Sequence, residues 1–278
     1  VVPIEKPSFD SQTTPIALTV AGSDSGGGAG IQADLKAFAA LGVYGCSAIT
    51  SLTAQNTVGV QDVYPVAPEF VIAQMESVLT DMPVAAIKTG MLSNAQIIQA
   101  LISTYDRCYP VPLVVDPVML ATSGDRLLEP EAIEIMIGEL LPRATLLTPN
   151  LLEAAALLNE PVAHTLSERE QQAQRLLAMG PQAVLLKGGH DSGPDATDLL
   201  LSDAGLETFS RSRVDTRHTH GTGCTLAAAI AAGLAKGLAL PLAVGEAKEY
   251  LHGAIVAGAQ RTLGAGASPV DHFYRGVQ

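Results

Sequence analysis

Short runs of consecutive apolar residues alternate along the chain with longer stretches in which apolar residues recur every third or fourth position. Residues 16–21, 46–53, 85–88, 113–115, 146–147 and 183–187 have the first character and read as strands. Residues 31–41, 68–79, 95–105, 129–140 and 171–179 read as helices, the first stopped by Gly42. Residues 198–201 and 207–210 flank Asp203-Ala204-Gly205 and read as a hairpin. From Gly223 onward the pattern predicts a long helical tail. Strands that are apolar throughout belong to a mostly parallel sheet with helices on both faces. With no internal repeat and no long linker, 16–278 reads as one α/β domain. Residues 1–15 mix Pro, Ser, Thr and charges; they are expected to be a mobile arm rather than a signal peptide.

Polar, acidic or glycine residues recur just after the strands: Gly22-Ser23-Asp24, Gln55-Asn56, Lys88-Thr89-Gly90, Asp116, Asn150 and Lys187-Gly188-Gly189. In a parallel sheet these positions share one edge, and open α/β sheets bind ligands there. Composition narrows the ligand. A formal net charge of −12 opposes non-specific binding to nucleic acid or anionic membranes. It does not oppose a nucleotide, because local fields and metal ions override a distant surface. The apolar stretch 224–235 is too short for a span and reads as a buried helix. The three cysteines, Cys46, Cys108 and Cys224, form no CxxC pair; they suit a reducing cytosol and indicate neither a disulfide framework nor a zinc site.

Two glycine loops carry the chemistry. The first runs from Gly22 to Gly30, where so little side chain lets a ligand approach the backbone. Its loose G-x-G-x-x-A match at 28–33 is not a dinucleotide site, because the second strand ends in Thr53-Ala54-Gln55-Asn56 without an acid. The chain has no Walker A loop either. The second loop, His220-Gly221-Thr222-Gly223-Cys224-Thr225, opens the most apolar helix. Converging amides and the positive end of that helix suit a transferring phosphoryl group. Cys224 falls in the first turn, where a thiol pKa drops and a thiolate becomes available as a base. A small buried cysteine explains the position equally well. His220 reads as a packing residue.

These motifs, in this order, resemble the ribokinase-like superfamily and, within it, the hydroxymethylpyrimidine/phosphomethylpyrimidine kinases. The match runs from about Ile16 to the C-terminus. It rests on 21–34, 53–57, 88–92 and 115–119, on Thr148-Pro149-Asn150 with Glu153, on 186–190 ending in His190, and on 220–224. The resemblance implies a three-layer α/β/α fold around a mostly parallel sheet. It implies a cytoplasmic homodimer that uses ATP and Mg²⁺ to phosphorylate 4-amino-5-hydroxymethyl-2-methylpyrimidine and then its monophosphate, in thiamin biosynthesis. Cys224 matches the base of that family, and Gly221, Thr222 and Gly223 its anion hole. Gln55 matches the residue that pairs with the aminopyrimidine edge, and its amide offers both the donor and the acceptor this needs. Gly22, Asp34, Met91 and Val118 match other pocket positions. Lys187 and Asn150 fall on the nucleotide side. Asp116 and Glu153 match acids near the phosphates and Mg²⁺, which takes oxygen ligands and keeps several waters. Sugar kinases and many pyridoxal kinases resemble the second loop but carry Asp where this chain has Cys224. Pyridoxal kinase remains the alternative activity, and a non-catalytic nucleotide-binding protein is a more distant one.

Overall fold

A computed structural model describes residues 2–8, 14–119, 128–189 and 193–276; His190 and part of the 1–15 stretch lie outside the described residues. The order of elements is β1 (Ile16–Asp24), α1 (Gly30–Ala40), β2 (Tyr44–Gln55), β3 (Val60–Pro65), α2 (Pro68–Leu79), β4 (Ala86–Thr89) and α3 (Ala95–Tyr105). Then come β5 (Leu113–Val115), α4 (Pro130–Ile135), β6 (Leu146–Leu147), α5 (Leu151–Leu158), α6 (Leu166–Leu177) and β7 (Ala183–Leu186). The chain finishes with β8 (Asp195–Ser202), β9 (Gly205–Ser212), α7 (Thr222–Ala235) and α8 (Leu240–Gly258). The sheet order is β3-β2-β1-β4-β5-β6-β7-β8-β9. Pairing is parallel from β2 across to β7 and antiparallel at both edges. From β1 the chain steps to β2 on one side and to β4 on the other, so the order reverses there and opens a crevice at the strands' carboxyl ends.

The apolar strands are buried on both faces, as their sequence predicts. Leu18, Val20, Ile87, Val184 and Leu186 pack against α2 to α6. Ala17, Ala86, Val114, Leu146 and Leu185 pack against α1, α7 and α8. Ile4 also packs into the first of these cores, and its N–H donates to the Arg107 carbonyl, so the stretch read as an arm is held at that point.

Several elements differ from the sequence reading. β3 is an edge strand with exposed polar positions, so it lacks the apolar run that marked the others. α5 is apolar nearly all round and showed no period. α6 starts before residue 171, on the polar Leu166–Glu170 stretch, because a Thr165/Glu168 capping box starts it there. α4 passes into a π turn at Met136–Leu140 and a 3₁₀ turn at Leu141–Arg143. The long tail is two helices: Gly237, at a φ of 82°, ends the turn after α7, and Pro241 sits in the first turn of α8. After Gly258 the described chain is not helical.

One buried charge pair ties the layers together under the crevice. Lys88 of β4 donates to both carboxylate oxygens of Asp34 of α1, at 2.9 and 2.8 Å, and both side chains are fully buried. Thr19 of β1 donates to the same carboxylate at 2.6 Å. Burial disfavours the ammonium, yet Asp34, with Cys224 and Asp116 nearby, holds Lys88 charged above its ordinary range. Removing one partner strands the other charge in the core. Lys88→Met should therefore lower unfolding stability by about 3–5 kcal/mol, and adding Asp34→Leu should restore much of it. Urea denaturation of the single and double variants checks this; a single variant as stable as wild type would refute it.

Candidate active site

The carboxyl ends of the strands open into a cleft of about 550 Å³. Three successive strand ends build one wall. Asp116 follows β5, and its N–H donates to the Thr89 carbonyl at the end of β4. Asn150 follows β6 and caps α5: its side chain accepts from the Glu153 N–H, while Glu153 accepts from the Asn150 N–H. Lys187 follows β7, where its N–H donates to the Pro149 carbonyl. Lys187 Nζ lies 2.9 Å from Asp116 Oδ1 and 3.9 Å from Glu153 Oε2. Thr148 also donates to Asp116 Oδ1, at 3.1 Å. The other oxygen of Asp116 faces the second glycine loop, where a Cβ on Gly223 would lie 3.8 Å from it. Burial and the neighbouring Asp116 push the Glu153 carboxyl up, Lys187 and the Asn150 N–H pull it down, and the net position is about 7. Lys187 stays an ammonium: burial opposes the charge, but Asp116 and Glu153 raise its pKa by more.

The opposite wall is made of the two glycine loops, which touch. Gly221 has a φ of 77°, and a Cβ there would overlap the Gly28 carbonyl. A Cβ on Gly28 would in turn strike the His220 ring. Asp24 is the fastener. Its Oδ1 accepts from the Gly26 N–H at 2.8 Å, and its Oδ2 from the Gly28 and Ala29 N–H groups at 3.0 and 2.8 Å. His220 Nε2 lies 2.9 Å from Oδ2. Burial pushes the Asp24 carboxyl up, but His220 and the loop amides outweigh it and hold the group below its ordinary value. His220 thus packs, as the sequence reading had it, but through a hydrogen bond that sequence separation hid.

Gly221 caps α7, whose first turn leaves the amides of Gly223 and Cys224 without intrahelical acceptors. Thr222 N–H donates back to the Thr219 carbonyl, closing the loop. The Cys224 sulfur lies where α1 also begins, with the Gly30 N–H directed at it. The expectation of a lowered thiol is corrected here: burial pushes the Cys224 thiol up to about 11, and Lys88 and the Gly30 amide only partly offset that. A helix N-terminus supplies partial charge, which loses to the cost of placing a thiolate among apolar groups and near Asp34 and Asp116.

The floor near β1 and β2 is smaller and less polar. Met91 is held over Gly22 by its carbonyl, which accepts from the Gly22 N–H at 3.1 Å and from Thr50 Oγ1 at 2.6 Å. Gln55 ends β2, its N–H donating to Ser25 Oγ of the first loop. Val118 follows Asp116, whose carbonyl accepts its N–H. The cleft therefore gathers Gly22, Gln55, Met91, Asp116, Val118 and Asn150, with Glu153, Lys187 and 221–224. Asp34 is not on its wall; it lies beneath, with its carboxylate taken by Lys88 and Thr19. Beyond Lys187 the cleft continues past a pair that sequence reasoning missed: Lys248 of α8 donates to Asp198 at 2.6 Å, and Asp198 accepts the Gly188 N–H. These residues are 50 positions apart and no local signal joins them.

Among the described residues no three His, Cys, Asp or Glu side chains converge to hold a metal. Asp116 and Glu153 nonetheless offer hard oxygen donors facing one ammonium. That set fits a Mg²⁺ ion completed by phosphate oxygens and water.

Comparison with known proteins shows the family. The family model for phosphomethylpyrimidine kinase matches residues 24–271. A hydroxymethylpyrimidine/phosphomethylpyrimidine kinase of Rhizobium meliloti is 53% identical over 262 residues, covering 94% of this chain and 98% of that protein. The phosphomethylpyrimidine kinase of Clostridium difficile has a solved structure that is 41% identical and superposes with a TM-score of 0.77, over 86% of this chain and 99% of that one. The pyridoxal kinase of Staphylococcus aureus, solved in complex with AMP-PCP and pyridoxal, is 34% identical with a TM-score of 0.85, over 94% of each chain.

Proposed function

The chain belongs to the phosphomethylpyrimidine kinase family, and from that membership we propose that it transfers the γ-phosphate of ATP to 4-amino-5-hydroxymethyl-2-methylpyrimidine and then to the resulting monophosphate, in thiamin biosynthesis. The observation that carries the reading is the cleft itself. A polar wall with one ammonium faces a paired-amide helix terminus, and a small floor bearing a single amide side chain lies between them.

The substrate ring rests on Gly22 between Met91 and Val118, with the Gln55 amide on its edge. Its hydroxymethyl group then points toward the N-terminus of α7. The triphosphate enters along Asn150 and Lys187. The amides of Gly223 and Cys224 receive the equatorial oxygens of the transferring group, whose charge they stabilise without reorganising. Lys187 follows the oxygen that carries charge as ADP leaves. Asp116 and Glu153 would hold Mg²⁺, which supplies further neutralisation of the phosphate charge when bound.

The hydroxyl proton has two acceptors within this geometry. Cys224 stands at the anion hole. Asp116 is favoured as a second reading, because burial raises the Cys224 thiol while one Asp116 oxygen faces the loop. A base acts only when deprotonated. If Cys224 accepts, turnover climbs by about tenfold per pH unit through the neutral range toward about 11.

ATP-consumption kinetics with the pyrimidine alcohol, its monophosphate and pyridoxal test the activity. The first two should be used well, and exclusive use of pyridoxal would replace the assignment with the pyridoxal kinase one. In the same assay, Cys224→Ala should lose about 100- to 10,000-fold in turnover with ATP affinity retained. A near-normal variant would transfer the proton-acceptor role to Asp116.

The metal reading is tested by chelation and add-back. Turnover should vanish in excess chelator and return with Mg²⁺, and Glu153→Gln should demand more Mg²⁺ for half-maximal rate. Full activity in chelator would remove the metal, and an unchanged Mg²⁺ requirement in the variant would remove only Glu153.

A homodimer has support in the outer β2–β3 face, where Leu52 and Tyr64 pair across the strands with their side chains exposed. Sedimentation equilibrium should give twice the chain mass, and Leu52→Glu should shift it toward monomer; a wild-type monomer at micromolar concentration would overturn this.

A further inference from the structure

Thr53 lies on β2 two residues before Gln55, with its side chain nearly buried at the cleft. Its Oγ1 is 2.9 Å from the Ser23 carbonyl oxygen and 3.0 Å from Gln55 Oε1. A hydroxyl has one hydrogen, and a carbonyl oxygen can only accept. With Oε1 turned toward it, Thr53 would have to donate twice. The Ser23 carbonyl belongs to the backbone of β1 and cannot change its role. The Gln55 amide can, because its oxygen and nitrogen ends have nearly the same shape and half a turn exchanges them. The Gln55 backbone is fixed: its N–H donates to Ser25 Oγ, and Ser25 Oγ donates to its carbonyl, both at 2.8 Å. The amide orientation is the freedom that remains.

We infer that Thr53 is a positioning residue that sets the specificity of the pocket: its hydroxyl donates to Ser23, obliges Gln55 to donate Nε2–H to Thr53 Oγ1, and thereby commits Gln55 Oε1 to the cleft as a hydrogen-bond acceptor. An acceptor held in that position selects a ring bearing an exocyclic amine. It rejects the ring in which a carbonyl replaces the amine, because two acceptors then face each other with no hydrogen between them. This inference rests on the aminopyrimidine reading of the cleft and adds to it the group that enforces the choice.

The test compares the amino substrate with its 4-oxo analogue, which presents a carbonyl where the substrate presents the amine. The quantity read is the ratio of the two kcat/KM values within each enzyme, so a partly inactive preparation does not bias it. Where turnover is too slow, the same ratio is taken from calorimetric Kd values. Wild type should favour the amine. Thr53→Val keeps the shape but frees the amide to turn, so the preference should fall by about tenfold, the worth of one well-made hydrogen bond. Thr53→Ser restores the hydroxyl and should restore the preference. The KM for ATP should not move in either variant. An unchanged ratio in Thr53→Val overturns the inference, as does an equal fall in both variants, which would assign the effect to the lost methyl packing. Absence of wild-type turnover on the aminopyrimidine would be visible separately and would sink the parent reading, and this inference with it.

Discussion

The architecture of the site depends on one carboxylate. Asp24 sits at the end of β1 and accepts from three loop amides and the His220 ring. A chain of five glycines in nine residues has no intrinsic reason to hold one shape, and ordering each glycine costs more backbone entropy than ordering any other residue. Asp24 supplies the missing order by converging the amides on a single charge. The bond to His220 then carries that order across 196 positions of sequence to the second loop. The N-terminus of α7, the proposed anion hole, is therefore placed by β1. The absence of side chains at Gly28 and Gly221 is what permits the two backbones to meet.

Around that fastener the protein buries more charge than its modest charged fraction suggests. Lys88 with Asp34, Lys187 with Asp116 and Glu153, and Lys248 with Asp198 all lie at or beneath the cleft. Each lysine is matched with at least one acid, so the site remains close to neutral inside a chain of net charge −12. In the proposed reaction the local donors for a polyanion are the helix-terminal amides and the Lys187 ammonium, while the surface charge is screened over about 8 Å at physiological salt. The pairs also differ in what they do. Lys88 and Asp34 are wholly enclosed and hold layers together, whereas Lys187 remains in reach of the cleft and can exchange a carboxylate for a phosphate.

Much of the frame was legible in the sequence because burial on both faces of a parallel sheet leaves continuous apolar runs. The same physics explains what was not legible. β3 is half in solvent and carries no such run; α5 is apolar all round and carries no period. The start of α6 is fixed by a cap rather than by apolar spacing. At the site, residues next to strand ends were readable because topology alone brings strand ends together. Asp34 was misleading for the same reason in reverse: its place in a conspicuous motif does not say whether it faces the ligand or the lysine behind it. Pairs such as Asp24 with His220 and Lys248 with Asp198 join distant segments, and nothing local announces them.

The raised Cys224 thiol bears on how this chemistry divides between proton transfer and charge stabilisation. In a loose phosphoryl-transfer transition state the incoming oxygen forms little bond to phosphorus, so its hydroxyl proton becomes acidic only late. A proton acceptor is then one contribution among several, beside positioning and charge stabilisation. The cleft is built accordingly. Its best-ordered groups are amides, held by Asp24 and by the close contact of two glycine loops. Its sulfur lies between two helix N-termini and near a buried ammonium, which favour negative charge but do not offset the burial that keeps the thiol protonated. A field of that kind acts on whichever anion is present. Exchange of the thiol for a carboxylate would therefore leave the amide side of the site intact and change only the group that collects the proton.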